Sequence, residues 1–180
     1  MRKKREEKWL SRVLFGAGID LIWGRAIIQI MDSEPIAEPI GRIIAAVEKR
    51  LPEYLAVEAD RSRNDGNSAL CIIDEAGRVY GKMFGTDKIR RRHSFRIAWT
   101  KASQVWITGM KTGEYEKLVF TGQIDEKKFG IIRPDFIGWE GGQPITIEGN
   151  LRLSVGFSGF RGASDVEIVQ KALVDALGGK

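Results

Sequence analysis

The stretch GGQPITIEGNLRLSVGFSGFRGASDVEIVQKALVDAL, Gly141 to Leu177, decides the fold. Pro144 to Ile147 and Leu151 to Phe157 are apolar, β-branched runs on either side of Glu148-Gly149-Asn150, a turn sequence, so a strand hairpin is predicted. Gly156 and Gly159 let strand and turn bend tightly, and Gly162 lets the chain start the next helix. Ser164-Asp165-Val166-Glu167 has the spacing of a capping box, in which the serine accepts a backbone N–H and the glutamate reaches back. Val166, Val169, Leu173, Ala176 and Leu177 carry the apolar face of that helix, and Gly178-Gly179 terminates it.

Upstream, Ala69 to Ile73 and Val79 to Phe84 are strand-like runs joined by Asp74-Glu75-Ala76-Gly77, a tight connection in which Gly77 can take positive φ. Thr86 can cap a helix running from Lys88 to about Val105, with Asp87 favourable at its positive end. Phe95, Ala98, Ala102 and Val105 give that helix a narrow, small-residue face for close packing. Thr112, Glu114 and Tyr115 start a shorter helix, and Phe129 to Glu140 reads as irregular.

Nearer the amino terminus, Ile40, Ile43, Ile44, Val47 and Leu51 lay one apolar stripe along a helix that Pro52 is expected to end. Tyr54 to Val57 reads as a further strand and Arg61 to Asn67 as a charged loop. The opening to about Gly16 suits a short helix, and Leu21 to Met31 a strand, with helix as the alternative. This order of elements predicts an α/β (α+β) domain, an antiparallel sheet with helices packed on its faces.

The bulk composition fits that reading. The 180 residues are 43% hydrophobic and 29% charged, enough apolar content for one domain with a buried core. The lone cysteine, Cys71, excludes an internal disulfide and points to a reducing, cytoplasmic compartment. The basic start of the chain is followed at once by Glu6 and Glu7, and the next apolar stretch is broken by Asp20 and Arg25, which fits neither a signal peptide nor a spanning helix. The net charge of +5 is concentrated in Arg2 to Arg5 and in Lys88, Arg90, Arg91, Arg92 and Arg96, clusters that suit a solvated surface or an anionic partner.

Several of these segments share a likeness. Gly141-Gly142-Gln143-Pro144-Ile145, the turn at Gly149, and Leu151 to Gly159 resemble the "GG-x-P-hydrophobic" and "hydrophobic-G-x-SG" strands of the HbpS-like family of heme-binding proteins, also called GlcG-like. Asp165 and Ala172-Leu173 stand where that pattern has an acidic residue and a helix. Ile72 to Val79 is similar to the family's "VVDxxGxL" hairpin, and Ala98, Lys101 and Ala102 to its "AxxKA" helix, so the likeness covers Ile40 to Leu177. It implies a three-layer α/β/α domain with a five-stranded antiparallel sheet, profilin-like in general shape and usually oligomeric. Some members bind heme, and a related domain ends certain corrinoid adenosyltransferases. The chain differs in its extra amino-terminal residues, so 1–36 are expected to be an extension packed on or swapped between subunits, and 37–180 the HbpS-like domain. Larger side chains in Leu151 to Val155 are a second difference.

With His93 the only histidine, metal clusters and Ser-His-Asp or Cys-His machinery are hard to assemble. Within Arg-Arg-Arg-His it is a candidate axial heme ligand, with Arg92 beside it for the propionates. Gly156-x-Ser158-Gly159 departs from the G-x-S-x-G nucleophile elbow, because position 160 is Phe. Its functional reading is an anion site of Ser158, Gly159 and Arg161 at the start of the last helix; its structural reading is a tight bend. Cys71 reads as a buried structural thiol, and Trp99 and Trp106, seven apart, as core or interface residues, with one side of an apolar ligand pocket as the alternative. The leading expectation is therefore an oligomeric small-ligand-binding protein with heme or another tetrapyrrole as first candidate. The alternatives are an enzyme acting on a small anionic metabolite and a non-catalytic assembly or phosphate- or nucleic-acid-binding module. No membrane partner is expected, and nucleic acid is the less favoured one.

Overall fold

The computed structural model describes residues 36–132, 135–147 and 150–178. Helix α1 (Ala37–Leu55) is followed by the short α2 (Glu58–Asn64) and the hairpin of β1 (Ala69–Asp74) and β2 (Val79–Met83). The long α3 (Lys88–Thr108), α4 (Thr112–Phe120) and a 3₁₀ turn (Glu126–Phe129) come next. A second hairpin, β3 (Gly142–Ile147) and β4 (Leu151–Ser158), leads into the last helix, α5 (Gly162–Leu177).

The two hairpins join through their inner strands, so the sheet runs β2-β1-β4-β3 and every pairing is antiparallel. Period-two alternation then assigns the faces. Ala69, Cys71 and Ile73 of β1 pair with Ser158, Gly156 and Ser154 of β4, and this face lies under α3. The small side chains at these positions let the helix come close. A Cβ on Gly156 would collide with the Ala98 carbonyl and the Ala102 backbone nitrogen. Leu70, Ile72, Leu153, Val155 and Phe157 fill the opposite face with Ile168, Val169 and Ala172 of α5. Helix α1 lies beside α5, tied by Arg50 to Asp175 at 2.6 and 2.7 Å, and reaches β2 through Glu48 and Lys82. Phe157, Phe160 and Tyr54 stack in series and close this layer.

The three layers and both hairpins follow the sequence reading; the described residues form four of the five expected strands. The readings of residues to Gly16 and of Leu21 to Met31 lie outside the described residues. Five local expectations are corrected. Pro52 lies inside α1, because proline disrupts only the turn before it and leaves the carbonyls ahead of it free to accept; Ala56 donates to the Pro52 carbonyl. Tyr54 and Leu55 are therefore helical rather than part of a strand. Arg61 to Asn64 belong to α2, and only Asp65 and Gly66 form the turn. Asp87, not Thr86, caps α3, accepting from the Ile89 and Arg90 N–H groups. No capping box forms at α5: Ser164 donates to Asp60, and Glu167 pairs with Lys171. The buried stripe of α5 is correspondingly Ser164, Asp165, Ile168, Val169 and Ala172.

Cys71 is fully buried, and burial pushes its thiol up to about 12. Its thiolate is the reactive form, so folded protein at pH 8 is expected to leave the thiol unlabelled by a disulfide reagent over the time in which urea-unfolded protein reacts fully. Equal rates would contradict the burial.

Candidate functional site

The long helix α3, the end of α2, the Ser158–Gly162 turn and the Gly138–Glu140 segment enclose one cleft of about 680 Å³. The helix supplies His93, Ser94, Ile97 and Lys101 from successive turns. The Ser158–Gly162 turn forms a second wall, with Gly159 at φ +141 and pressed against Ser68 so closely that a Cβ would not fit. Gly138, Trp139 and Glu140 form the third. That third wall has little regular structure, yet two buried side chains fasten it. The Gln104 amide donates to the Ile137 carbonyl at 2.9 Å and accepts from the Ile137 N–H at 3.0 Å. Thr112 Oγ1 donates to the Trp139 carbonyl at 2.7 Å. The Trp139 ring itself remains exposed.

Beneath the turn lie two ion pairs, each with a buried carboxylate. Lys101 Nζ, in a residue 1% exposed, donates to Asp165 at 2.9 Å and to the Phe157 carbonyl at 2.8 Å. The other Asp165 oxygen accepts from the Phe160 N–H at 3.0 Å. Burial pushes the Asp165 carboxyl up to about 7, against the pull of Lys101 and the Phe160 N–H. Asp60, also buried, accepts from the Arg161 N–H at 3.1 Å, from the Arg161 guanidinium at 2.9 and 3.0 Å, and from Ser164 at 2.9 Å. The guanidinium hydrogen bonds hold the Asp60 carboxyl below its usual range despite its burial. Two carboxylates thus accept the N–H groups of Phe160 and Arg161, so the turn presents an already neutralised backbone to the cleft rather than two free donors.

His93, Ser158, Gly159 and Arg161 all line this cleft, whereas Arg92 does not. Arg63, from α2, faces the cleft and was missed because its segment reads as a loop. Asp60, Lys101 and Asp165 also escaped as site residues. One signal for them exists: Lys101 falls between Ala98 and Ala102 on the small-residue face of α3, and a lysine on a buried face requires a counter-ion. Cys71 takes no part, and no cluster of metal-ligating side chains occurs among the described residues. No described helix is long and apolar enough to cross a membrane.

The family described as "Haem degrading protein HbpS-like" matches residues 55–174. Among curated proteins the sequence has no match. Three solved structures are similar to it in fold. The Klebsiella pneumoniae protein ORFY is 21% identical with a TM-score of 0.59, over 79% of this chain and 89% of that one. A structure titled as a PduOC:heme complex is 17% identical with a TM-score of 0.56, over 76% and 90%. A double mutant of Streptomyces reticuli HbpS is 15% identical with a TM-score of 0.52, over 89% and 94%.

Proposed function

Because this chain belongs to the haem-degrading HbpS-like family, we propose that it binds haem or another tetrapyrrole in the cleft between α3, the Ser158–Gly162 turn and the Trp139 segment. One observation carries this reading: the chain's only imidazole, apolar side chains and guanidinium groups converge on a single cleft of cofactor size. Ligand pockets commonly measure roughly 300–1,000 Å³ and pair apolar walls with a few polar groups. Here His93 offers a nitrogen to iron, Ile97 and Trp139 offer apolar surface to the macrocycle, and Arg63 with the half-exposed Arg161 faces the propionates. Haem, when bound, supplies a redox-active iron whose behaviour its axial ligand and surroundings tune. The chain's own part is to bind, orient and shield.

Arg161 is the less available of the two arginines, because Asp60 already neutralises it. In this proposal it keeps the turn in place, and Arg63 answers the ligand's charge. The homologue in complex with heme and the family description support the ligand class. We further read the protein as a homo-oligomer, supported by the place of β2 at the edge of the sheet among the described residues, with Val79 and Met83 exposed.

Titrating the purified protein with hemin is expected to give a saturable Soret shift. His93→Ala should alter the shift and weaken binding at least about tenfold, since even outer partners of metal ligands act on a 10–100-fold scale. Trp106→Ala, outside the cleft, should leave the titration unchanged. An absent shift, or one indifferent to His93→Ala, would remove the proposal.

A further inference from the structure

A second cavity, of about 380 Å³, lies beside the first cleft, between the outward side of α3, the β1–β2 hairpin and the segment after the 3₁₀ turn. Ile73 and Ile131 form a buried floor. Trp99 and Trp106 stand along its length, 45% and 47% exposed, with Ile107 and Val79 beside them. Seven residues of α-helix separate the two indoles by about 10 Å, so they grip the two ends of an elongated guest rather than enclosing a single point.

The charge and hydrogen-bonding of this cavity differ from those of its neighbours. The chain has a net charge of +5, and the first cleft is lined by Arg63, Lys101 and Arg161. Among the described residues, the second cavity has no basic lining side chain and Asp135 is its one charged one. Its two hydroxyls have spent their donors on the protein, and Gln104 one of its two amide hydrogens. Thr100 donates to the Arg96 carbonyl, Ser103 to the Thr100 carbonyl, and Gln104 to the Ile137 carbonyl. A hydroxyl that has donated its proton still has lone pairs, so this rim accepts hydrogen bonds. An anion would meet the Asp135 carboxylate; an ammonium would meet that carboxylate, hydroxyl acceptors and indole faces, which attract cations.

The cavity also has a direction. Trp99, Thr100 and Asp135 border the groove leading toward His93 and Phe136, while Trp106 sits at the far end, within van der Waals reach of a Cβ placed on Gly77. We propose that this cavity binds a small organic cation with an elongated apolar body, such as an arylalkylammonium. Its ammonium group lies by Asp135 and Trp99, and its apolar end lies against Trp106, Ile107 and Val79. The site is separate from the tetrapyrrole cleft and does not depend on it.

Calorimetric titration of the full chain with 4-phenylbutylammonium, and with the corresponding neutral alcohol and carboxylate, tests this. The ammonium should bind saturably, about fivefold more tightly than the alcohol, as an exposed cation–aromatic contact beside a carboxylate allows, and the carboxylate should not bind. Asp135→Asn should remove the preference for ammonium over alcohol, whereas Trp106→Ala should weaken both. Both variants should retain the hemin titration of the parent, which separates failure here from failure of the cleft. No saturable binding of the ammonium, equal affinity for ammonium and alcohol, or a preference that survives Asp135→Asn would each overturn the proposal.

Discussion

Lys101→Met is expected to destabilise the domain by about 3–5 kcal/mol at pH 8, the cost of leaving one member of a buried ion pair without the other. Lys101 and Asp165 are 1% and 3% exposed, and the lysine also holds the Phe157 carbonyl at the end of β4. The loss should depend on pH in a defined direction. With Lys101 in place the folded Asp165 carboxyl stands at about 7, above the ordinary 3.8. A carboxyl raised on folding contributes stability that is full below the unfolded value and is lost as pH rises through the folded one. Removing the lysine raises the folded value further, because burial is then opposed only by the Phe160 N–H. Neutral Asp165 needs no counter-ion, so the penalty of Lys101→Met should be smaller at pH 5 than at pH 8. Urea unfolding of both proteins at the two pH values measures this. The same loss at each would mean that Asp165 carries no proton at either.

The double replacement Lys101→Met with Asp165→Leu should recover part of that stability, because an apolar pair avoids the desolvation of two charges. Recovery should be incomplete, since the Phe157 carbonyl and the Phe160 N–H each lose a partner.

Gly156→Val should be the most damaging single change in the sheet. Its new side chain would meet backbone atoms of Ala98 and Ala102, and backbone cannot rotate aside as a side chain can. Overpacking typically costs about 1–3 kcal/mol and more where no relaxation is available, so the expected loss is about 3 kcal/mol or more, read as a lower thermal midpoint and poorer soluble yield. Gly41→Ala provides the opposite control. Among the described residues nothing lies within 4 Å of a Cβ there, and the residue is exposed within α1. Alanine at that position should stabilise by about 0.5–1 kcal/mol through the helical preference it restores. A neutral Gly156→Val would show that α3 rides higher on the sheet than the contacts imply.

Elements with strong local signals were legible in the sequence. Both hairpins announce themselves through turn residues between apolar runs, and the Ala98–Ala102–Val105 spacing marks the packing face of α3. Failures cluster where tertiary contacts decide. The segment Glu58–Asn64 has no apolar stripe, and its one buried side chain, Asp60, finds Arg161 and Ser164 more than a hundred positions away. Ser164 is also why the capping box misled: the motif has the right spacing, but its serine donates to a buried carboxylate instead of accepting from the helix. The site was partly legible. His93, Ser158, Gly159 and Arg161 share one cleft, but Arg92 sits one position away on α3, and a step of about 100° around the helix is enough to turn it off the cleft. The Trp139 wall could not be foreseen, because its shape depends on Gln104 and Thr112, side chains from two other helices.

Helix α3 is fixed at one end by Asp87, at the other by the turn at Gly109, and in the middle by the glycine gap at position 156. Its remaining circumference is divided between the two cavities, with His93, Ile97 and Lys101 on one flank and Trp99, Ser103 and Trp106 on the other. This division gives the domain room to diversify. Replacements on one flank can change what that side accepts without moving the axis of the rod or the opposite flank. Descendants of such a scaffold can keep the glycine and alanine seam constant while each ligand preference drifts on its own.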